Sequence, residues 1–173
     1  MKVKSYGNKL IADFMEVDYY VPITVSFPEN DDKYNLGEFY YYRFVNKYES
    51  FIEVKINSIT QKIVEVVFTS INDIKDSNLS IQEYIEKNPV VETDIFSGNP
   101  IVTKEADFNI FRENKNLFFK LKEENLDSVV KMSKHLSLFL NVENEIIGMR
   151  VSDFSETEWS EINDSIQDSI SLK

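Results

Sequence analysis

FIEVKINSITQKIVEVVFTSI, residues 51–71, contains the clearest structural pattern in the chain. Its first part, residues 51–56, alternates apolar and charged side chains, which is the period of a strand with one buried face. A polar stretch follows, and residues 63–68 return with β-branched side chains and a weaker alternation. The pattern predicts a β-hairpin whose turn lies between residues 57 and 62.

Two further pairs of apolar segments flank short polar turns and predict two more hairpins. One pairs residues 108–112 with 117–121, and the other pairs 136–140 with 146–151. Single strands are predicted at residues 20–27 and 37–45. Pro22 puts the first of them at a sheet edge or at a strand start. Aromatic side chains on both faces put the second inside a sheet.

Two segments have the pattern of a helix N-terminus. Residues 80–83 (SIQE) match a capping box and predict a short helix through about Lys87, which Pro89 stops. Residues 155–158 (SETE) repeat the match, and Trp159, Ile162, Ile166 and Ile170 then recur at helical spacing. Residues 123–135 are compatible with a helix or a strand. Leucine and valine have helical spacing there, while the run VVKM also suits a strand.

Together these segments predict a single α+β domain over residues 1–173. The hairpins and the tyrosine-rich strand build a mostly antiparallel sheet. The short middle helix and the C-terminal amphipathic helix pack on this sheet or cap its edges, with Trp159, Ile162 and Ile166 closing the core. One repeated spacing is present: Asn57 precedes Ile63 as Asn141 precedes Ile147. It indicates either a common hairpin feature or a duplicated hairpin unit.

The charge balance excludes several classes of partner. The chain has 30 acidic and 19 basic residues, for a net charge of −11. Unspecific binding to nucleic acid needs cations that face phosphates, and an anionic membrane surface repels an acidic chain. Apolar stretches in this sequence are too short for a membrane span or a signal-peptide core. We therefore expect a cytoplasmic protein that binds neither nucleic acid nor membrane.

The scarce residue types exclude several chemistries. Cysteine is absent, His135 is the single histidine, and four glycines are scattered along the chain. These counts rule out a thiolate nucleophile, a histidine- or cysteine-rich metal site and the glycine-rich phosphate loops. We expect no metal and no cofactor. Acid–base catalysis by His135 with a carboxylate, or by two carboxylates, stays open, because the spacing selects no pair.

The last segment carries the candidate partner-binding residues, which are all acidic: Asp153, Glu156, Glu158, Glu161, Asp164 and Asp168. In a helix the isoleucines face the core, so most of these carboxylates face water. Asp31 and Asp32, in a polar loop, are predicted to join them. Opposite charge raises the rate of encounter with a basic partner. The alternative is an ordinary solvated face, since the helix dipole also favours anions in the first turn.

Residues 138–151 (LFLNVENEIIGMRV), followed by Phe154-Ser155-Glu156, resemble a strand, acidic turn and return strand common in small bacterial proteins. Residues 51–71 are similar to this unit. With its size and acidity, the chain resembles bacterial immunity proteins that neutralise secreted toxin domains, including those of contact-dependent inhibition. The resemblance implies a non-catalytic inhibitor that occludes the active site of a basic toxin, such as a nuclease domain. Alternatives are a small enzyme acting on a neutral small molecule and a structural or phage-like assembly component.

Overall fold

The fold is known from a computed structural model, which describes residues 1–7, 10–18, 20–30, 38–72, 74–77 and 84–171, with the backbone alone after Ser165. Strands account for 53% and helices for 11% of the structure. Within the described residues there are three sheets and one α-helix, at the C-terminal end. The predicted α+β class is therefore wrong, and the protein has a β-rich fold with a single C-terminal helix.

The elements follow one another closely along the chain. They are β1 (Val3–Gly7), β2 (Phe14–Glu16), β3 (Ile23–Ser26), β4 (Phe39–Val45), β5 (Phe51–Asn57), β6 (Ile63–Ser70), β7 (Ile74–Asp76), β8 (Ile85–Glu86), β9 (Asn88–Val91), β10 (Ile101–Glu105), β11 (Phe108–Glu113), β12 (Asn116–Leu121), β13 (Ser128–Lys131), β14 (Leu136–Leu140), β15 (Ile146–Val151) and α1 (Glu156–Ser171). Short 3-10 turns lie at Pro28–Asn30 and Asp94–Phe96.

Two large sheets contain most of the strands. The six-stranded sheet has the order β10-β4-β5-β6-β3-β2, and the seven-stranded sheet has the order β7-β11-β12-β15-β14-β13-β8. The three predicted hairpins are confirmed as β5–β6, β11–β12 and β14–β15. Three neighbouring pairs are parallel, namely β10–β4, β11–β7 and β13–β8. The remaining two strands, β1 and β9, form an antiparallel sheet of their own.

The two large sheets pack face to face through phenylalanine rings. The ring of Phe119 on β12 lies 5.1 Å from that of Phe44 on β4 and 6.2 Å from that of Phe68 on β6. All three side chains are completely buried. Tyr42 and Phe44 face this core together, as the alternation of the tyrosine-rich strand predicts. The arrangement is a β-sandwich whose core lies between the two sheets.

The middle helix predicted to end near residue 87 is wrong. Its capping box, residues 80–83, lies outside the described residues, but the positions that follow form the short strands β8 and β9. Pro89 lies within β9 and pairs with Tyr6 of β1. A proline is tolerated there because both strands of a two-stranded sheet are edge strands, in which alternate backbone N–H groups point away from the partner strand.

Two other sequence interpretations are settled by the pairing. Residues 128–131, where helix and strand were both open, form β13 between β14 and β8. The strand predicted at residues 20–27 is shorter and begins at Ile23, directly after Pro22. Because β3 has neighbours on both sides, Pro22 marks a strand start and not a sheet edge.

Buried asparagine side chains organise three of the hairpin turns. The Oδ1 atom of Asn46 accepts hydrogen bonds from the backbone N–H groups two and four residues on, at 3.0 and 2.9 Å. Asn141 makes the same pair at 3.1 and 2.9 Å. Asn57 instead bonds the N–H groups two and three residues on. The turn that matches Asn141 is therefore that of Asn46 and not that of Asn57, and this difference favours a common hairpin feature over a duplicated hairpin unit.

Tyr42 gives the fold a testable response to alkaline pH. Burial raises the pKa of Tyr42 from 10.0 to about 12, with a smaller contribution from Glu145. Between these values the unfolded chain releases the phenol proton and the folded chain keeps it, so stability falls as pH rises from 10 to 12. We expect the urea midpoint to fall over this range, and to fall less in Tyr42→Phe. An equal fall in both proteins would contradict this role of Tyr42.

Candidate partner-binding surface

A complete capping box begins α1. The backbone N–H of Ser155 donates to Glu158 Oε2 at 2.7 Å, and the N–H of Glu158 donates to Ser155 Oγ at 3.2 Å. The second capping box predicted from the sequence is therefore confirmed. Its geometry also gives Glu158 a structural role, which removes this carboxylate from the set that is free to meet a partner.

Apolar and amide contacts hold α1 against the body of the protein. The indole of Trp159 lies 5.6 Å from the ring of Phe154, and Ile162 is completely buried. The amide of Asn163 donates to the carbonyl of Trp159 at 2.7 Å and accepts from Arg112 of β11 at 3.4 Å. The predicted anchoring by Trp159 and Ile162 is thus confirmed, whereas the side chain of Ile166 lies outside the described residues.

Two more of the predicted acidic residues have partners within the chain. Glu156 forms an ion pair with Lys115 in the β11–β12 turn. Asp153, just before the helix, lies 3.4 Å from the ammonium of Lys134. Both pairs are at the surface, where such interactions contribute little to stability, but a partner protein would have to compete with the lysines for these carboxylates.

Glu161 and Asp164 remain as an exposed carboxylate pair one helical turn apart. Within the part of the chain that the structure describes, neither carboxylate has a hydrogen bond or an ion pair. Position 168 follows on the same helical face, although only its backbone is described. Asp31 and Asp32 lie outside the described residues. We refer to Glu161, Asp164 and position 168 as the acidic face of α1.

Exposed carboxylates also lie on elements other than this helix. Glu16 is on the edge strand β2, Glu92 and Asp94 follow β9, and Glu105 ends the other edge strand, β10. The acidity of the surface is therefore not confined to α1. These positions provide matched controls for any experiment that changes the charge of the helix.

The single histidine is held by a carboxylate that the sequence did not single out. Asp13 Oδ1 lies 2.9 Å from His135 Nδ1, and Asp13 Oδ2 accepts a hydrogen bond from the backbone N–H of His135 at 2.9 Å. A backbone bond from Ile11 to Met132, at 3.2 Å, lies close by. These contacts tie the chain before β2 to the turn before β14. Their sequence separation explains why no local pattern pointed to Asp13.

Within the described ranges no group of three or more histidine or carboxylate side chains could hold a metal ion. No helix in those ranges combines the length and apolar character that crossing a membrane requires. No protein-family model matches the chain, and no curated protein is significantly similar to it.

Proposed function

We propose that the protein is a non-catalytic binding protein that neutralises a basic toxin domain by covering the toxin's cationic active site. This is the role implied by its resemblance to bacterial immunity proteins. The observation that carries the proposal is the acidic face of α1, where Glu161 and Asp164 are exposed and without partners among the described residues. The net charge of −11 reinforces the field around this face.

The distinction between paired and unpaired carboxylates gives the proposal its physical basis. Glu156 has to give up Lys115 before it can bind a cationic partner, so its net gain is small. Glu161 and Asp164 give up only water. Exposed ion pairs add about 0.2–1 kcal/mol each, so the acidic face contributes mainly to the rate and orientation of encounter. Burial of apolar surface at the interface then holds the complex together.

Charge reversal on the acidic face tests the proposal. The variant Glu161→Lys/Asp164→Lys is compared with Glu16→Lys/Glu105→Lys, which makes the same change in net charge at exposed positions on the two edge strands of the six-stranded sheet. We expect association with the toxin domain to slow at least about tenfold in the helix variant and about twofold or less in the control.

Secreted toxins encoded beside the gene are the first partners to test, with purified basic nuclease domains as the next set. Stopped-flow association gives the rate, and co-expression with the toxin gives growth rescue as a second readout. Equal slowing in the two double variants would show that the acidic face has no special part in binding. Failure of the wild-type protein to bind any toxin domain would overturn the proposal.

The His135–Asp13 pair is the observation that favours the alternative of a small enzyme. A carboxylate that holds Nδ1 leaves Nε2 as the proton acceptor, which is the arrangement of a catalytic base. The same carboxylate also binds the backbone N–H of His135, however, and this accounts for the pair as a tie between two segments. His135→Gln separates the roles when the urea midpoint and toxin protection are measured together. A structural tie predicts a lower midpoint, whereas a catalytic base predicts lost protection in a variant that is as stable as the wild type.

A further inference from the structure

A shallow depression of about 370 Å³ lies where β7, the β11–β12 hairpin and α1 meet. It is lined by polar side chains and by the single tryptophan of the chain: Asp76, Arg112, Glu113, Asn114, Lys115 and Trp159. The indole is half-buried, and its ring packs on Phe154. The depression therefore combines an aromatic surface with hydrogen-bonding groups from three elements.

A chain of hydrogen bonds holds two of these polar groups, Arg112 and Asp76, in place. Arg112 Nε donates to Asp76 Oδ1 at 2.6 Å, and Arg112 Nη1 donates to Asn163 Oδ1 at 3.4 Å. Asn163 in turn donates to the carbonyl of Trp159 at 2.7 Å. The hydrogen bond from the Arg112 guanidinium lowers the pKa of the Asp76 carboxyl below its ordinary value, which favours its ionised form. A site whose groups are already oriented loses less entropy when a ligand binds.

The charges around the depression favour a neutral ligand. Asp76 and Glu113 contribute two negative charges and Arg112 and Lys115 two positive charges, and both cations already have a carboxylate partner, Arg112 in Asp76 and Lys115 in Glu156. The cations of the depression attract an anionic ligand while the carboxylates repel it, and a cationic ligand is attracted by the carboxylates and repelled by the cations. A hydroxyl group both donates and accepts, so a ligand rich in hydroxyls can satisfy carboxylates and guanidinium together.

We propose that this depression binds a neutral saccharide. The apolar C–H face of a pyranose ring lies against the indole of Trp159, while its hydroxyls donate to the carboxylates and accept from Arg112. This inference goes beyond the binding of a toxin domain, which is argued from Glu161 and Asp164 on the acidic face. The two proposals can fail separately.

Saccharide binding can be measured through the fluorescence of Trp159, because the chain has a single tryptophan. Trp159 fluorescence is titrated with maltose, cellobiose, lactose and diacetylchitobiose as neutral probes, with glucuronate, inorganic phosphate and glucosamine as charged probes at equal ionic strength. We expect a saturable change, with a millimolar midpoint, for at least one neutral disaccharide and weaker responses to the charged probes. No saturable change with any neutral disaccharide, or tighter binding of a charged probe, would overturn the proposal.

Variants test whether the fluorescence change arises from binding in this depression. Arg112→Gln removes the charged donor and keeps the fluorophore, and we expect about tenfold weaker binding or more. Lys47→Gln, in a separate surface depression, is the matched control and should bind as the wild type does. Urea midpoints verify that each variant folds, and Asp76→Asn replaces Arg112→Gln if the latter does not. Wild-type affinity in a folded Arg112→Gln or Asp76→Asn protein would also contradict the assignment.

Discussion

Gly148→Ala should reduce the free energy of unfolding by about 3 kcal/mol or more, or prevent folding altogether. A Cβ atom on Gly148 would lie 2.2 Å from the carbonyl oxygen of Phe119 and 2.9 Å from Cδ2 of Phe139. The first of these neighbours is backbone in the paired strand β12, so it cannot rotate away. Relief requires β15 to separate from β12 at the centre of the seven-stranded sheet.

Gly98→Ala is the matched control, because it makes the same chemical change where there is space. Gly98 has φ +82, and a Cβ atom added there would have no neighbour within 4 Å, so its substitution costs backbone strain alone, about 1–2 kcal/mol. Urea unfolding followed by Trp159 fluorescence measures both variants. If Gly148→Ala were no more destabilised than Gly98→Ala, the close packing of β12 and β15 would be wrong.

Phe119→Ala should cost about 3–5 kcal/mol, because Phe119 joins the two sheets. Its ring lies 5.1 Å from Phe44, 6.2 Å from Phe68 and 5.0 Å from Phe108, and its side chain is completely buried. Truncation leaves a cavity in the middle of the sandwich, where rigid sheets on both sides cannot collapse to fill it.

Phe14→Ala makes the same truncation at a side chain that is 63% exposed, and we expect a loss of about 0.5 kcal/mol or less. A double-mutant cycle with Phe44→Ala adds a test of the sandwich itself. Contacting rings on facing sheets should show a coupling free energy of about 0.5 kcal/mol or more. Additive losses at Phe44 and Phe119, or a Phe119→Ala protein as stable as Phe14→Ala, would contradict the facing of the two sheets.

Local hairpins were predictable from the sequence because apolar and polar residues alternate along the two strands and a polar turn lies between them. The pairs β5–β6, β11–β12 and β14–β15 all lie where the pattern placed them. For β4, alternation predicted that Tyr42 and Phe44 share one side of the strand, and both are buried, but aromatic side chains on both sides left open which side faces the core.

Pairings between distant segments were not predictable in the same way. The parallel pairs β10–β4, β11–β7 and β13–β8 join segments with no shared turn, so no local pattern specifies them. The strand β9 contains Pro89 and follows a predicted helix, yet it pairs with β1 near the start of the sequence. There the tertiary partner overrides local propensity.

The candidate surface shows the same difference between local patterns, which were predictable, and contacts between distant segments, which were not. The capping box of Ser155 and Glu158 is a pattern of adjacent residues, and it was predictable. The pairing of Glu156 with Lys115 depends on how the β11–β12 turn lies against α1, which the sequence does not reveal. Among the acidic side chains that the structure describes in this segment, Glu161 and Asp164 are therefore the two without a partner among the described residues.

The dependence of toxin binding on ionic strength tests most directly whether acidity serves recognition. The affinity of the wild-type protein for the toxin domain is measured by calorimetry from roughly 0.05 to 0.5 M salt, over which the screening length shortens severalfold. If charge leads the docking, the affinity of the wild-type protein should fall at least about tenfold across this range, and that of Glu161→Lys/Asp164→Lys should fall less. A wild-type affinity that stays constant as salt rises, or an equal fall in both proteins, would contradict the claim that the acidic face serves recognition.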